Sequence, residues 1–436
     1  MSASFKIKIP RMQTTLSDDS LVAFIFISYF CSEAFRSLVA RSIGSGIFDI
    51  VYNVLFIGAV FLLALSTKRK RLLKPALCYL IVALLFIFTI LIHPEYESWY
   101  FEASYGIQVQ FFRAVGGIWA FLVVYLVADK EKLYRYLKIS CWILFAFLCL
   151  KFFSAQARGY WVSYGADYSR LERDYNLGFG YNMLFPVIFF SAEAYLHRKK
   201  KYYIPFAIGS VLILLGGSRG AIVWVAVAFL FMLPYRWKSM SKTEKARSVA
   251  LIIVIAPIVW LIYTNYDLLS QGLLFLLNSR GITSRTLTAL LTGEFSEANG
   301  RDQIYEMTIE RIRQGGLFGN GVFGERVIVG QRFRWGYAHN LFLELYAAFG
   351  YLGGTIVSLG LIISVIKTAI GCIESKEQII FVTFLGASMK LMLSDSFWFN
   401  SAFWGLLAIM VMWRKQFSSK PDSVEEMAFT RSSNIL

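Results

Sequence analysis

The sequence predicts an all-α polytopic membrane protein of about 12 transmembrane helices, the form that a hydrocarbon core of about 30 Å imposes on a spanning chain. Three observations predict it. Of 436 residues, 57% are hydrophobic and only 17% are charged, whereas a soluble domain needs about a quarter charged residues to cover its surface. The apolar residues also come in long runs instead of helical stripes. Pro75 to Ile92 and Tyr202 to Gly217 carry no charge at all, which is rare in a buried soluble helix. Finally, nearly all breaks between these runs are short.

In chain order, the apolar windows place helices near 20–38, 46–66, 75–93, 107–128, 136–153, 176–196, 202–217, 219–234, 247–266, 339–366, 377–394 and 396–413. The seventh and eighth are divided only by the break at Gly216-Gly217-Ser218-Arg219-Gly220. At the N-terminus Lys6, Lys8 and Arg11 precede the first run, but Asp18 and Asp19 intervene and no small-x-small site follows. The first span is therefore expected to remain as an uncleaved anchor. The chain divides into a transmembrane region of about nine helices (1–266), a long extracytoplasmic loop with short helices (267–338), a second transmembrane region of about three (339–413) and a tail (414–436). Five cysteines (Cys31, Cys78, Cys141, Cys149, Cys372) lie in or near the spans without a CxxC pair or a nearby histidine. They read as small apolar fillers.

The net charge of +16 first suggests either nucleic acid or an anionic surface, and its placement decides. One set of connections is strongly basic: Lys68 to Arg71, Lys130 to Lys138, Arg198 to Lys201, and Arg236 to Arg247. The alternate set is neutral or acidic, as in Pro94 to Gly106. Lysine and arginine stay on the cytoplasmic side, so both termini are expected there and nucleic acid is not a partner. On the other face only Lys151 and Lys390 fall at the edge; the remaining cations are Arg36, Arg41, Arg158, Arg170, Arg173, Arg219 and eight arginines in the long loop. Arginine's rigid fork suits bidentate capture of phosphate. Retention of lysine inside by topology alone accounts for the same pattern equally well.

The loop between the expected ninth and tenth helices, Asp267 to Ala338, stands apart in length, and such loops are usually functional. Asp302 to Arg313 predicts a short amphipathic helix with Ile304, Thr308 and Ile312 on one side, Gly300 before it and Gly315-Gly316 at its end. Ser284 to Thr292 is a second candidate, lying on the membrane surface. Gly319-Asn320-Gly321 and Gly324 then form a flexible turn, expected to let backbone approach a ligand. Tyr337-Ala338-His339-Asn340 ends the loop. His-Asn there is, taken alone, more simply an ordinary polar cap than a catalytic pair. Arg219, flanked by glycines at a helix start, reads either as a snorkelling anchor or as an anion site. Arg113 lies inside the fourth span and needs a partner or a ligand. Glu344, a little over one turn beyond His339, is a candidate for orienting polar groups or for a structural hydrogen bond. Arg158, Arg170 and Arg173 share an outer loop with Tyr160, Trp161 and Tyr164, which are placed either to stack on sugars or to mark the membrane interface. No DxD, His/Cys cluster or close carboxylate pair suggests a metal on this face.

Three runs occur in a telling order: SRGAIVWVAVAFL (Ser218 to Leu230), NGRDQIYEMTIERIRQGGLFGNGVFG (Asn299 to Gly324) and AHNLFLELYAAFGYLGG (Ala338 to Gly354). Together they resemble the O-antigen ligase and polysaccharide polymerase superfamily over the second half of the chain. Tyr175 to Asn182 is similar to a segment of Wzy-type capsule and exopolysaccharide polymerases. The resemblance implies a GT-C-like membrane glycosyltransferase in the bacterial cytoplasmic (inner) membrane, using no cofactor or metal. It implies that Arg219 and Arg301 hold the diphosphate of a polyprenyl-linked glycan and that His339 acts on the acceptor hydroxyl with inversion at the anomeric carbon. Arg113, Asn340, Glu344, Arg170 and Arg173 are further substrate-binding candidates. The acceptor is a second lipid-linked glycan for a polymerase or a lipid A core for a ligase; a flippase and a chain-length regulator are the expected protein partners. A transporter would also have a dozen spans, but no internal repeat is visible and the arginines crowd one face. A lipid-glycan-binding scaffold is the remaining alternative.

Overall fold

The computed structural model describes residues 18–43, 45–65, 69–102, 106–114, 116–164, 170–173, 176–216, 218–246, 264–265, 271–276, 279, 300–333 and 336–418. Helices dominate these residues: α1 (Asp18–Phe30), α2 (Ser32–Ile43), α3 (Ser45–Leu65), α4 (Arg69–Ile92), α5 (Glu97–Tyr100), α6 (Gly117–Leu126), α7 (Lys130–Arg158), α8 (Leu177–Tyr195), α9 (Tyr203–Leu215), α10 (Arg219–Ser239), α11 (Arg301–Gly315), α12 (Arg326–Val329), α13 (Leu341–Gly371), α14 (Ser375–Ser388) and α15 (Ser401–Ser418). Six helical stretches among the described residues are long and apolar enough to cross a membrane: Ile47–Leu65, Leu72–Ile92, Gln108–Leu126, Lys130–Arg158, Gly220–Lys238 and Leu341–Gly371. Apart from residues 264 and 265, the ninth expected helix lies outside the described residues, as does the Ser284 to Thr292 candidate.

The interior is aromatic, and the exterior is apolar as well. α6 packs along α15, while α8 sits against α7, α9, α10 and α14. Ile50, Val54, Phe61, Leu73, Phe88, Ile356 and Ile363 face outward. In water such a surface would aggregate, whereas in hydrocarbon it costs nothing. The five cysteines are free. Ion pairs draw helix ends together: Lys132 with Asp19, Lys130 with Glu377 and Lys376 with Glu131 join the starts of α1, α7 and α14.

Several elements depart from the simplest reading of the apolar runs. The first run is two helices, broken at Cys31. The fourth opens with a π-helical turn, Gln108–Phe112, and breaks at an extended Arg113 before α6 resumes. The connection between α7 and α8 contains an antiparallel hairpin, β1 (Trp161–Tyr164) with β2 (Arg170–Arg173), which pairs Trp161 with Arg173 and Tyr164 with Arg170.

The largest departure is in α13. Gly350 has φ 68° and ψ −172°, so the helix is interrupted at that point. In an unbroken helix the Ala347 and Ala348 carbonyls would accept from the Tyr351 and Leu352 amides. Here the long loop takes both sets of partners. Asn320 N donates to Ala347 O and Gly321 N to Ala348 O (both 2.9 Å), while Tyr351 N donates to Gly316 O (2.9 Å) and Leu352 N to Leu317 O (3.1 Å). These four backbone groups are thereby satisfied, as a low-dielectric setting demands. Gly319 (φ 81°) and Gly350 must both lack a side chain, because a Cβ on either would collide with the other's backbone. The glycine turn expected to approach a ligand is thus used to dock the loop on α13.

Candidate functional site

α11 runs Arg301–Gly315 with Gly300 (φ 78°) before it, and it buries Ile304, Thr308 and Ile312, the face that its spacing predicts. That face packs on α13. Further clamps fix the loop. Arg311 donates through Nε to Gly324 O (2.9 Å) and through Nη2 to the Tyr96 hydroxyl. Asn320 Nδ2 reaches Arg311 O (2.8 Å), Val322 N donates to Thr89 Oγ1 (3.1 Å) and the Tyr100 hydroxyl donates to Val322 O (3.1 Å). Phe323 enters the aromatic core, its ring centroid 5.3 Å from that of Phe86. Next to it Glu325 and Arg326 are both fully buried, 3.8 Å apart, with the guanidinium 3.9 Å over the Phe323 ring. Burial pushes the Glu325 carboxyl up, to about 6, although Arg326 pulls it down.

His339 lies just before the Asn340 cap of α13 and is left-handed (φ 54°). Its ring lies 4.3 Å from that of Tyr337, and its Nδ1 is buried without a hydrogen-bond partner among the described residues. Burial first, and the nearby Arg301 guanidinium second, lower its pKa to about 4; Asp395 opposes them. Against the ordinary value of about 6.5, it is neutral and a weaker base in the folded protein. Asp395 is itself left-handed (φ 72°) and pairs with Lys390 at 2.7 Å. Three non-glycine residues at positive φ, Phe323, His339 and Asp395, thus occur in and around this region, and such strain is concentrated at functional sites.

The start of α10 reaches the same cluster. Gly180 lies against Ser218, and Gly220 lies against the Tyr181 hydroxyl; a Cβ at either glycine would collide. Tyr181 in turn lies near Arg301 and Ser394, close enough to interact with both electrostatically. The structure therefore brings Arg301, His339 and the backbone at Arg219 to one end of the bundle; the Arg219 side chain lies outside the described residues.

Other candidates separate from this group. Asn340 caps α13, its Oδ1 accepting from Phe342 N (3.0 Å) and Leu343 N (3.2 Å). Glu344 is buried and accepts from the Ser396 hydroxyl and from Phe397 N (3.1 Å). It holds in place the segment that presents Asp395. Trp161 is buried against Phe152 and Phe179 (6.1 and 5.0 Å between centroids), so it is packing and not a sugar platform. Arg173 is exposed on β2, Arg170 lies on the same strand with its side chain outside the described residues, and Arg113 is half-buried. Among the described residues no hydrogen bond or ion pair joins Arg113 or Arg173 to Arg301 or His339. Sequence reasoning met Tyr181 only within the polymerase-like segment and Lys390 only as an edge lysine, and it did not single out Asp395. An aspartate in the apolar stretch 377–413 was the available signal, since ionisable groups at membrane depth mark function. No group of three or more His, Cys, Asp or Glu among the described residues is placed to hold a metal ion.

No curated protein and no solved structure matches the chain. Residues 204–358, which run from α9 through the loop into α13 and include Arg219, Arg301 and His339, match the family model described as O-antigen ligase. That stretch is therefore similar to the O-antigen ligase family, in agreement with the superfamily that the motifs resemble.

Proposed function

We propose that the protein is a membrane glycosyltransferase that polymerises polyprenyl-diphosphate-linked oligosaccharide repeats into O-antigen, capsule or exopolysaccharide. Members of the family it matches are glycosyltransferase-like membrane enzymes. The observation that carries the reading is the placement of a neutral His339 beside Arg301, with the start of α10 joined to them through Tyr181. In this reading Arg219 and Arg301 hold the donor diphosphate. The acceptor oxygen bonds to the anomeric carbon as the bond from that carbon to the diphosphate oxygen breaks. The acceptor proton goes to the His339 imidazole, and the arginines take up the charge left on the departing diphosphate. Attack opposite the leaving group inverts the centre, and no metal is involved. Donor binding also tunes the base. A bound diphosphate offsets the Arg301 charge that helps to hold the imidazole down, so His339 becomes more basic once substrate is present.

The lysine-bearing helix ends face the cytoplasm in this reading, with both termini there and the site at the extracytoplasmic face of the bacterial inner membrane. The test is purified protein with lipid-linked repeat alone, which yields longer chains; Arg301→Ala and His339→Ala yield none while inserting normally. The family description favours a second reading, transfer to a lipid A core. Capped core without any chain extension, when both acceptors are offered, would make the protein a ligase.

A further inference from the structure

Two clefts of about 670 and 520 Å³ are walled mostly by apolar side chains, as expected of lipid-facing grooves. A third cavity, of about 240 Å³, is different. It lies between α1, α2, α8, the end of α14 and the start of α15, and its wall includes Glu33, Tyr181, Asn182, Lys390, Asn400 and Ser401.

Its charges are already paired. Glu33 Oε1 meets Lys151 Nζ at 2.5 Å, and Lys390 Nζ meets Asp395 Oδ2 at 2.7 Å. An ionic ligand would find no uncompensated charge there. Its neutral groups are only partly used. Asn182 donates to Glu33 Oε2 (2.6 Å), which leaves its carbonyl oxygen for a donor. Asn400 Oδ1 accepts from Phe403 N (2.9 Å), which fixes the orientation of the amide. Its Nδ2 is then a buried donor with no partner among the described residues, in a residue only 1% exposed. Buried donors are almost always satisfied, so this one awaits an acceptor. A hydrocarbon tail would leave it stranded. The rings of Phe185 and Phe399 complete the wall, offering apolar surface beside the polar groups. Neutral hydroxyls on the edges and C–H faces above and below are the features of a sugar ring.

The cavity adjoins the reacting groups through two of its residues. Tyr181 also lies within electrostatic reach of Arg301, and Lys390 pairs with the aspartate whose charge acts on His339. We propose that this cavity is a subsite for one neutral sugar ring of the lipid-linked glycan, held by Asn182 and Asn400 beside the bond being made. This rests on the glycosyltransferase reading above.

The test uses the full-length protein in lipid nanodiscs with Asn182→Ala and with Asn400→Asp, which keeps the oxygen that meets Phe403 N and removes the donor. Both variants should bind sugar-free polyprenyl diphosphate as the wild type does. Both should raise the KM for lipid-linked repeat about tenfold, the effect of one lost hydrogen bond, with kcat changed by less than about threefold. Titration of donor alone, and of a synthetic acceptor against preloaded donor, assigns the ring to whichever of the two weakens. An unchanged KM in both variants, or equal weakening toward the sugar-free lipid, would overturn the subsite. The glycosyltransferase reading fails separately if wild-type protein forms no glycosidic bond. In that event, saturation transfer from the protein to methyl glycosides of the repeat's sugars, lost in both variants, still supports the cavity as a sugar site, and its absence in the wild type rejects it.

Discussion

Replacing Gly350 with alanine tests how the loop is tied to the helix behind it. At φ 68° and ψ −172° the residue occupies a region open essentially to glycine alone, where other residues cost about 1–3 kcal/mol. The added Cβ would also meet Gly319 N and Leu317 O, both backbone atoms that cannot swing aside. Relief comes if α13 straightens and its own amides recover the Ala347 and Ala348 carbonyls. The loop then loses all four bonds, stranding Asn320 N, Gly321 N, Gly316 O and Leu317 O. Two bonds re-form within α13, so the net loss is two, at about 0.5–1.5 kcal/mol each, or about 1–3 kcal/mol. Even the lower end corresponds to about fivefold in the opening equilibrium. Hydrogen exchange of the 316–321 amides should therefore accelerate at least that much in Gly350→Ala. Product formation should fall although neither Arg301 nor His339 is touched, because α11 is positioned against α13 by this joint. Unaltered exchange at Asn320 and Gly321 together with normal turnover would refute the argument.

Three more outcomes are expected. His339 has a folded pKa of about 4 against 6.5 for the ordinary group, so its neutral form contributes stability that is complete above about pH 6.5 and is lost as pH falls toward 4. Accordingly kcat/KM should stay flat from about pH 8 to 5 with an acid limb near 4; Arg301→Gln should move that limb upward in any residual activity, and a wild-type limb at 6.5 would contradict the burial. Arg326→Ala should lower thermal stability by about 3–5 kcal/mol because it leaves Glu325 buried without its partner, whereas Glu325→Leu with Arg326→Met should recover most of that loss. Glu344→Ala should cost about 1–3 kcal/mol in a denaturation assay by stranding the Ser396 hydroxyl and the Phe397 amide; a loss of turnover with unchanged stability would instead place Glu344 in direct contact with substrate.

What the sequence makes legible is local. Runs such as Pro75 to Ile92 announce helices because their solvent is hydrocarbon, and the face of α11 is visible in the spacing of Ile304, Thr308 and Ile312. Asn340 before an apolar stretch announces a helix start, and that is the role it has. The break at Gly350 is hidden because AAFGYLGG reads as one small-residue span; its satisfying partners lie thirty residues earlier and only pairing reveals them. Asp395 is hidden for a similar reason, since its relation to His339 crosses from the start of one helix to the turn between two others. The basicity of His339 depends on what surrounds the ring, and no linear pattern records that.

The exchange of partners at Gly350 also fixes an order of events during biosynthesis. Gly316 to Gly321 leave the ribosome before Ala347, Ala348, Tyr351 and Leu352, so the groups that will hold them do not yet exist. Arg301 can take its place only after the following span has been threaded into the bilayer and has parted at its glycine. Asp395 arrives later still. The end of the molecule that carries Arg301 and His339 is therefore closed from its C-terminal side, and a chain released before residue 352 carries all of α11 but has nowhere to seat it.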